Sequence, residues 1–79
     1  MDKEVARQVL ANELGIDIAS IKDSATLGND LMLDSLKYVK YLVELEDVFE
    51  VEFDDTKLVL DESITFKEFF DLLSEGVVS

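Results

Sequence analysis

Hydrophobic positions recur with helical spacing in three separate stretches of the chain. In the first, Val5, Val9, Leu10 and Leu14 stand at intervals of four and five, with Lys3, Arg7, Gln8 and Glu13 elsewhere on the wheel. This pattern predicts an amphipathic helix from Asp2 to Leu14. Gly15 follows the last periodic residue, where a left-handed helix end suits it. The second and strongest pattern runs from Leu36 to Glu50. At 100° per residue, Tyr38, Leu42, Leu45 and Phe49 form a narrow core stripe, flanked by Tyr41 and Val48 on one side and Val39 on the other. Leu36, Lys40, Val43 and Asp47 fall on the opposite face, which places two aliphatic side chains outward. The third helix is announced by its start: Thr65 and Glu68 form a capping box, with Ile64 and Phe69 at the staple positions. Phe66, Phe69, Phe70, Leu72 and Leu73 then give a broad apolar face that ends before Gly76, and the tail Val77-Val78-Ser79 is expected to fray.

The segments between the helices differ in kind. Gly15 to Asp34 is a 20-residue connection punctuated by Asp17, Ser20, Asp23, Ser24, Thr26, Gly28, Asn29 and Asp30. So long a loop in a compact domain is usually functional or disordered. The spaced aliphatics Ile16, Ile18, Ile21, Leu27 and Leu31 predict a loop pinned to the core, with a short helical turn near Ala19 to Ile21. After the second helix, Val51 and Phe53 alternate with acids. Thr56 to Leu60 is expected to form a short helix or turn. No internal repeat and no strand pattern long enough for a sheet is present, so the expectation is a single all-α domain spanning residues 1–79.

Composition narrows the chemistry. Seventy-nine residues allow one core, burying about 60% or slightly more of the unfolded surface, and 48% hydrophobic residues suffice to build it. The formal net charge is −12, which repels nucleic acid and anionic membranes and attracts basic protein patches. The chain contains no cysteine and no histidine, which excludes disulfides, a protein thiolate, an imidazole base and Cys/His zinc sites. Paired acids are numerous but read as a solvated face rather than an acid/base pair, so intrinsic catalysis is not expected. Glu44 to Glu62 contains nine acids and one base, yet Asp54 and Asp55 are adjacent and no glycine follows, so the calcium-loop spacing is not met. No metal site is expected. The charged start Met1-Asp2-Lys3-Glu4 precedes no apolar run, and no stretch approaches the ~18 apolar residues of a membrane span. A cytoplasmic protein is expected.

One serine stands apart. Ser35 lies where the long connection meets the strongest helix, and either Asp34 or Ser35 would serve there as an ordinary N-cap. A phosphate ester on the Ser35 hydroxyl would equally suit this place, because free backbone N–H groups and the positive dipole end favour an anion. The unusually long loop and the strongly acidic chain shift the balance toward the second role.

The run Asp34-Ser35-Leu36, followed by Val43-Glu44-Leu45-Glu46-Asp47-Val48-Phe49-Glu50-Val51-Glu52-Phe53, resembles the acyl carrier protein family. The similarity covers nearly the whole chain, in order: helix, long loop, D-S-L at the second helix, L-E-x-x-F at its end, a short third helix and a capped last helix. The resemblance implies a four-helix bundle in which Ser35, with Asp34 as its motif partner, receives 4′-phosphopantetheine from coenzyme A through a phosphopantetheinyl transferase. A thiol carried on that arm would supply what a cysteine-free chain lacks. The resemblance also implies a monomer whose second helix meets basic docking patches of acyl- or aminoacyl-handling enzymes through Leu36, Lys37, Lys40, Val43, Glu44 and Asp47.

Three departures from the family pattern make the chain less generic. Met32 stands where a glycine is usual, so a different turn into the serine is expected. Lys37 and Lys40 replace common acids; Lys37 is placed to pair with a phosphodiester on Ser35, and Lys40 is placed to pair with Glu44 at i,i+4. Tyr38 and Tyr41 occupy positions where fatty-acid carriers have smaller side chains around an acyl pocket, which predicts poor sequestration of long saturated chains. Together these point to a dedicated natural-product pathway with short acyl, polyketide or aminoacyl cargo. A peptidyl or aminoacyl carrier is the alternative within the class, and an unmodified acidic protein-interaction module is the alternative outside it.

Overall fold

The computed structural model describes residues 1–54 and 58–77. Among them are three α-helices: α1 (Lys3–Leu14), α2 (Ser35–Phe49) and α3 (Phe66–Glu75), with a 3-10 turn at Ile18–Ser20. The all-helical class holds. Of the short helix expected over Thr56 to Leu60, Thr56 and Lys57 lie outside the described residues, and Leu58 to Leu60 are not helical. No helix among the described residues is long and apolar enough to cross a membrane.

Each helix stops and starts for a local reason. The Asp2 carboxylate accepts the Glu4 backbone N–H at 2.8 Å and caps α1, and Gly15 ends it at φ 67, a left-handed conformation that glycine adopts without strain. Asp34 caps α2, which ends at Glu50 in the left-handed region, φ 54. In α3 the Thr65 hydroxyl accepts the Glu68 N–H while the Glu68 carboxylate accepts the Thr65 N–H, completing the capping box.

The buried face of α1 is rotated from the expected one. Ala6, Leu10 and Ala11 are buried, whereas Val5 is exposed and Val9 only partly covered. The alanines let α2 approach closely enough for the Tyr41 hydroxyl to donate to the Ala6 carbonyl at 2.7 Å. On α2 the buried residues are Tyr38, Tyr41, Leu42 and Leu45, with Phe49 partly buried, and the flanking Val39 and Val48 remain exposed. Phe66, Phe69 and Leu73 of α3 complete the core. Leu72, expected on the apolar face, is 40% exposed.

The long connection is pinned at both sides, although of the aliphatics expected to pin it Ile16 is exposed and Ile18 only partly buried. Ile21, Leu27, Leu31 and Leu33 are buried. Backbone bonds stitch it to the start of α3: Leu27 N–H to the Ile64 carbonyl at 2.9 Å, Gly28 N–H to the Glu62 carbonyl at 3.0 Å, and Phe66 N–H to the Ala25 carbonyl at 2.8 Å. A Cβ on Gly28 would lie 2.3 Å from Glu62 Cβ, so only glycine permits this approach. The expected fraying at the tail is corrected at Val77, which forms an antiparallel bridge with Phe53. Asp54 N–H also donates to the Gly76 carbonyl at 2.7 Å. Val78 and Ser79 lie outside the described residues.

Arg7 fastens the connection to α1. Its guanidinium donates to the Ile21 carbonyl and to the Asp23 and Glu4 carboxylates, and it lies 4.9 Å from the centroid of the Phe66 ring. Lys3 adds a 2.9 Å bridge to Asp23. Hydrogen bonds from Lys3 and then Arg7 hold the Asp23 carboxyl down at about 2. A depressed folded-state pKa contributes stability above the unfolded value, near 3.9, that disappears as pH falls through the folded one. Asp23→Asn is therefore expected to melt below the wild type at neutral pH, with the gap closing between about pH 4 and pH 2. Thermal melts across that range check it; a gap that does not change with pH contradicts the assignment.

Candidate functional site

The approach to Ser35 is built from one tight turn and one constrained residue. Thr26 and Asp30 close the turn reciprocally: Asp30 Oδ2 accepts the Thr26 N–H at 2.8 Å and its hydroxyl at 3.0 Å, and Thr26 Oγ1 accepts the Asp30 N–H at 3.1 Å. These bonds, the backbone one first, lower the Asp30 pKa. Leu31 and Leu33 are buried on either side of Met32, which is 77% exposed. Their N–H groups bond back to the Thr26 and Leu27 carbonyls. Held between two anchors, Met32 sits at φ 54. At this position methionine takes the left-handed conformation that glycine adopts freely, at a cost of roughly 1–2 kcal/mol.

The choice between two caps resolves in favour of Asp34. Its carboxylate accepts the Lys37 N–H at 2.8 Å, and its carbonyl accepts the Tyr38 N–H at 2.8 Å. Ser35 is thus the first helical residue. It is exposed, and its hydroxyl meets no hydrogen-bond partner among the described residues. Asp34 does the capping, and Ser35 Oγ stands exposed at the positive end of a 15-residue helix.

The sequence placed Leu36, Lys40, Val43 and Asp47 on the outer face of α2, and the resemblance added Lys37 and Glu44 as partner contacts; all six are exposed. Leu36 and Val43 are 66% and 57% accessible. The i,i+4 pair expected between Lys40 and Glu44 is not formed as a salt bridge among the described residues. The neighbouring carboxyl of Glu13 on α1 instead raises the Glu44 pKa, against the opposing charge of Lys40.

Beside Ser35 opens a cleft of about 520 Å³ that the sequence did not reveal. One wall is α2, through Ser35, Tyr38, Val39, Leu42, Val43 and Glu46; the other is Leu58, Val59, Leu60 and Glu62. Residues about 20 apart meet here, and periodicity within one helix carries no trace of such a pairing. Both tyrosines turn inward. The Tyr38 hydroxyl donates to the Leu58 carbonyl at 2.7 Å, and burial pushes the fully covered Tyr41 phenol well above its ordinary pKa. Phe69 packs between them, its ring centroid 5.8 Å from Tyr38 and 5.7 Å from Tyr41.

The helical scaffold thus presents an exposed serine at a helix start, next to a largely apolar cleft. The family model for the phosphopantetheine attachment site matches residues 4–73, and the chain belongs to that family, whose cofactor is covalently attached 4′-phosphopantetheine. It is similar to an acyl carrier protein of Syntrophobacter fumaroxidans, 40% identical over 69 residues, covering 86% of this chain and 82% of that protein.

The local cap supplies a test of this geometry. Asp34→Ala is expected to cost about 1 kcal/mol, lowering Tm by about 4–8 °C, whereas Asp34→Asn, an equally good cap, stays near the wild type. Equal losses for both variants in thermal melts would show that the carboxylate charge, not the cap, matters.

Proposed function

We propose that the chain is a stand-alone acyl carrier protein bearing 4′-phosphopantetheine on Ser35, a cytoplasmic monomer and single domain that holds cargo as a thioester for partner enzymes. The observation that carries this reading is the Ser35 hydroxyl, exposed and unbonded because Asp34 has taken the cap. In the transfer, Ser35 Oγ attacks the phosphorus of coenzyme A that bears the pantetheine and gives up its proton to the transferase, the pyrophosphate bond breaks, and adenosine 3′,5′-bisphosphate leaves. The positive helix end and exposed Lys37 both suit the phosphodiester so formed. The chain itself performs no further chemistry; it presents the arm.

The partner face is the outside of α2. Leu36 and Val43 supply apolar contact, Glu44 and Asp47 attract basic patches, and Lys37 and Lys40 near the arm modify that choice. Electrostatic steering with weak affinity suits a shuttle that must leave each partner quickly. The lysines beside Ser35 and the tyrosines in the core favour a dedicated natural-product pathway with short acyl or polyketide cargo. Glu46 and Glu62 in the cleft lining favour a second reading, an aminoacyl or peptidyl cargo whose ammonium group they would attract.

Incubation with coenzyme A, magnesium and a promiscuous phosphopantetheinyl transferase is expected to add the mass of one phosphopantetheine to the wild type and none to Ser35→Ala. A folded wild-type chain that stays unmodified returns the protein to the class of acidic interaction modules. On the outer face, Leu36→Ala and Val43→Ala are each expected to lower kcat/KM for at least one acyl-handling partner by about five-fold, the equivalent of ~1 kcal/mol. Stability should stay within about 0.5 kcal/mol of the wild type. Unchanged transfer to every partner tested would remove these residues from the interface.

A further inference from the structure

The buried part of the lining of the cleft beside Ser35 is Tyr38, Leu42 and Leu58, and Tyr38 ties one wall to the other. Tyr38 lies one helical turn beyond Ser35 on the same face of α2, is 5% exposed, and reaches across the cleft to bond the Leu58 carbonyl at 2.7 Å. Its ring stands edge-on to Phe69, with 64° between the planes. Phe69 in turn contacts the rings of Tyr41 and Phe66. An acyl chain approaching from Ser35 therefore finds two regions of unlike cost. The outer cleft, along Val39, Val43 and Val59, is accessible, these residues being 56%, 57% and 77% exposed. Anything deeper must displace the Tyr38 ring, give up its contact with Phe69, and leave the carbonyl of buried Leu58 without the phenol.

On the carrier reading above, we propose that Tyr38 is the residue that limits cargo length: its ring closes the inner end of the cleft, and its hydroxyl, tied to Leu58, holds the ring in place. Short acyl groups are covered by the outer cleft. Longer ones run out of apolar wall and extend into solvent or onto a partner. Tyr41 has a different task, since its hydroxyl bonds the Ala6 carbonyl of α1 rather than either wall of the cleft. Tyr38 is a specificity-determining residue, with no part in forming the thioester.

Cargo that is buried in the folded state and exposed in the unfolded one raises Tm, so thermal melts read burial directly. The wild type, Tyr38→Phe and Tyr38→Leu are loaded from acetyl-, butyryl-, octanoyl- and dodecanoyl-coenzyme A by the transferase, and intact mass verifies each product. For the wild type, Tm is expected to rise to the butyryl form and then stay level. For Tyr38→Leu the rise continues, the dodecanoyl form melting about 4–8 °C above its own unacylated form. Tyr38→Phe, which keeps the ring and loses the tie, gives a smaller climb in the same direction. A wild-type Tm that climbs steadily to octanoyl and beyond overturns the proposal. So do variants that melt lower by a constant amount at every length, the result of a purely structural role. Should Tyr38→Leu fail to fold, Tyr38→Phe alone decides between these outcomes. A folded chain that gains no mass overturns the carrier reading itself, whereas loaded proteins with wild-type length dependence overturn only the role of Tyr38.

Discussion

The half-buried guanidinium of Arg7 is the interaction on which the placement of the serine rests. Burial works against its charge, and hydrogen bonds to Asp23 and Glu4 outweigh that penalty, leaving its pKa raised. A charge in this position is tolerated only when its donors are used, and the donors here tie α1 to the long connection. The Ile21 carbonyl and Asp23 belong to the long connection, Glu4 to α1, and the ring beneath it to Phe66 at the start of α3. Lys67 N–H donates to the Asp23 carbonyl at 3.1 Å, bringing the α3 backbone into the same knot. Without such a knot, a 20-residue loop would have to be ordered by its aliphatics alone, against roughly 1–2 kcal/mol of backbone entropy per residue.

From that anchor, position is passed along the chain by short-range bonds. The stitch between residues 25–28 and the start of α3 sets the plane of the loop, and the Thr26–Asp30 turn reverses it. Buried Leu31 and Leu33 then fix the direction in which α2 begins. Met32 shows what this costs. An exposed methionine in the left-handed region gains nothing from burial, and it is held there because both neighbours are committed to the core. The loop is long because it must cover one end of the core and still deliver Asp34 to the helix as its cap.

Much of this was legible in the sequence wherever a local rule decides the outcome. Gly15, the Thr65–Glu68 capping box and the α2 stripe of Tyr38, Leu42 and Leu45 follow from chemistry contained within four or five residues, and the outward placing of Leu36 and Val43 follows from the same periodicity. Features that depend on a distant partner were hidden. The wheel for α1 favoured Val5, but a close approach to Tyr41 selected Ala6 and Ala11 instead. The fraying expected at Val77 failed because Phe53 is there to pair with it. Between Asp34 and Ser35 propensity is neutral; only the backbone geometry shows which of them caps. The cleft was the least visible feature, because Leu58 to Leu60 meet α2 only after folding.

The composition and the site express one division of labour. A chain without cysteine or histidine has no strong nucleophile of its own at neutral pH, and a serine hydroxyl with no base beside it is inert until an enzyme supplies one. The same logic extends to the core. Both tyrosines spend their hydroxyls on backbone carbonyls, at Leu58 and Ala6, so the interior beneath the attachment site is closed by satisfied polar groups as well as by packed rings. A greasy cavity would fill with any apolar chain offered to it, whereas an interior whose opening leaves a buried carbonyl unpaired resists filling at a cost of about 1–3 kcal/mol.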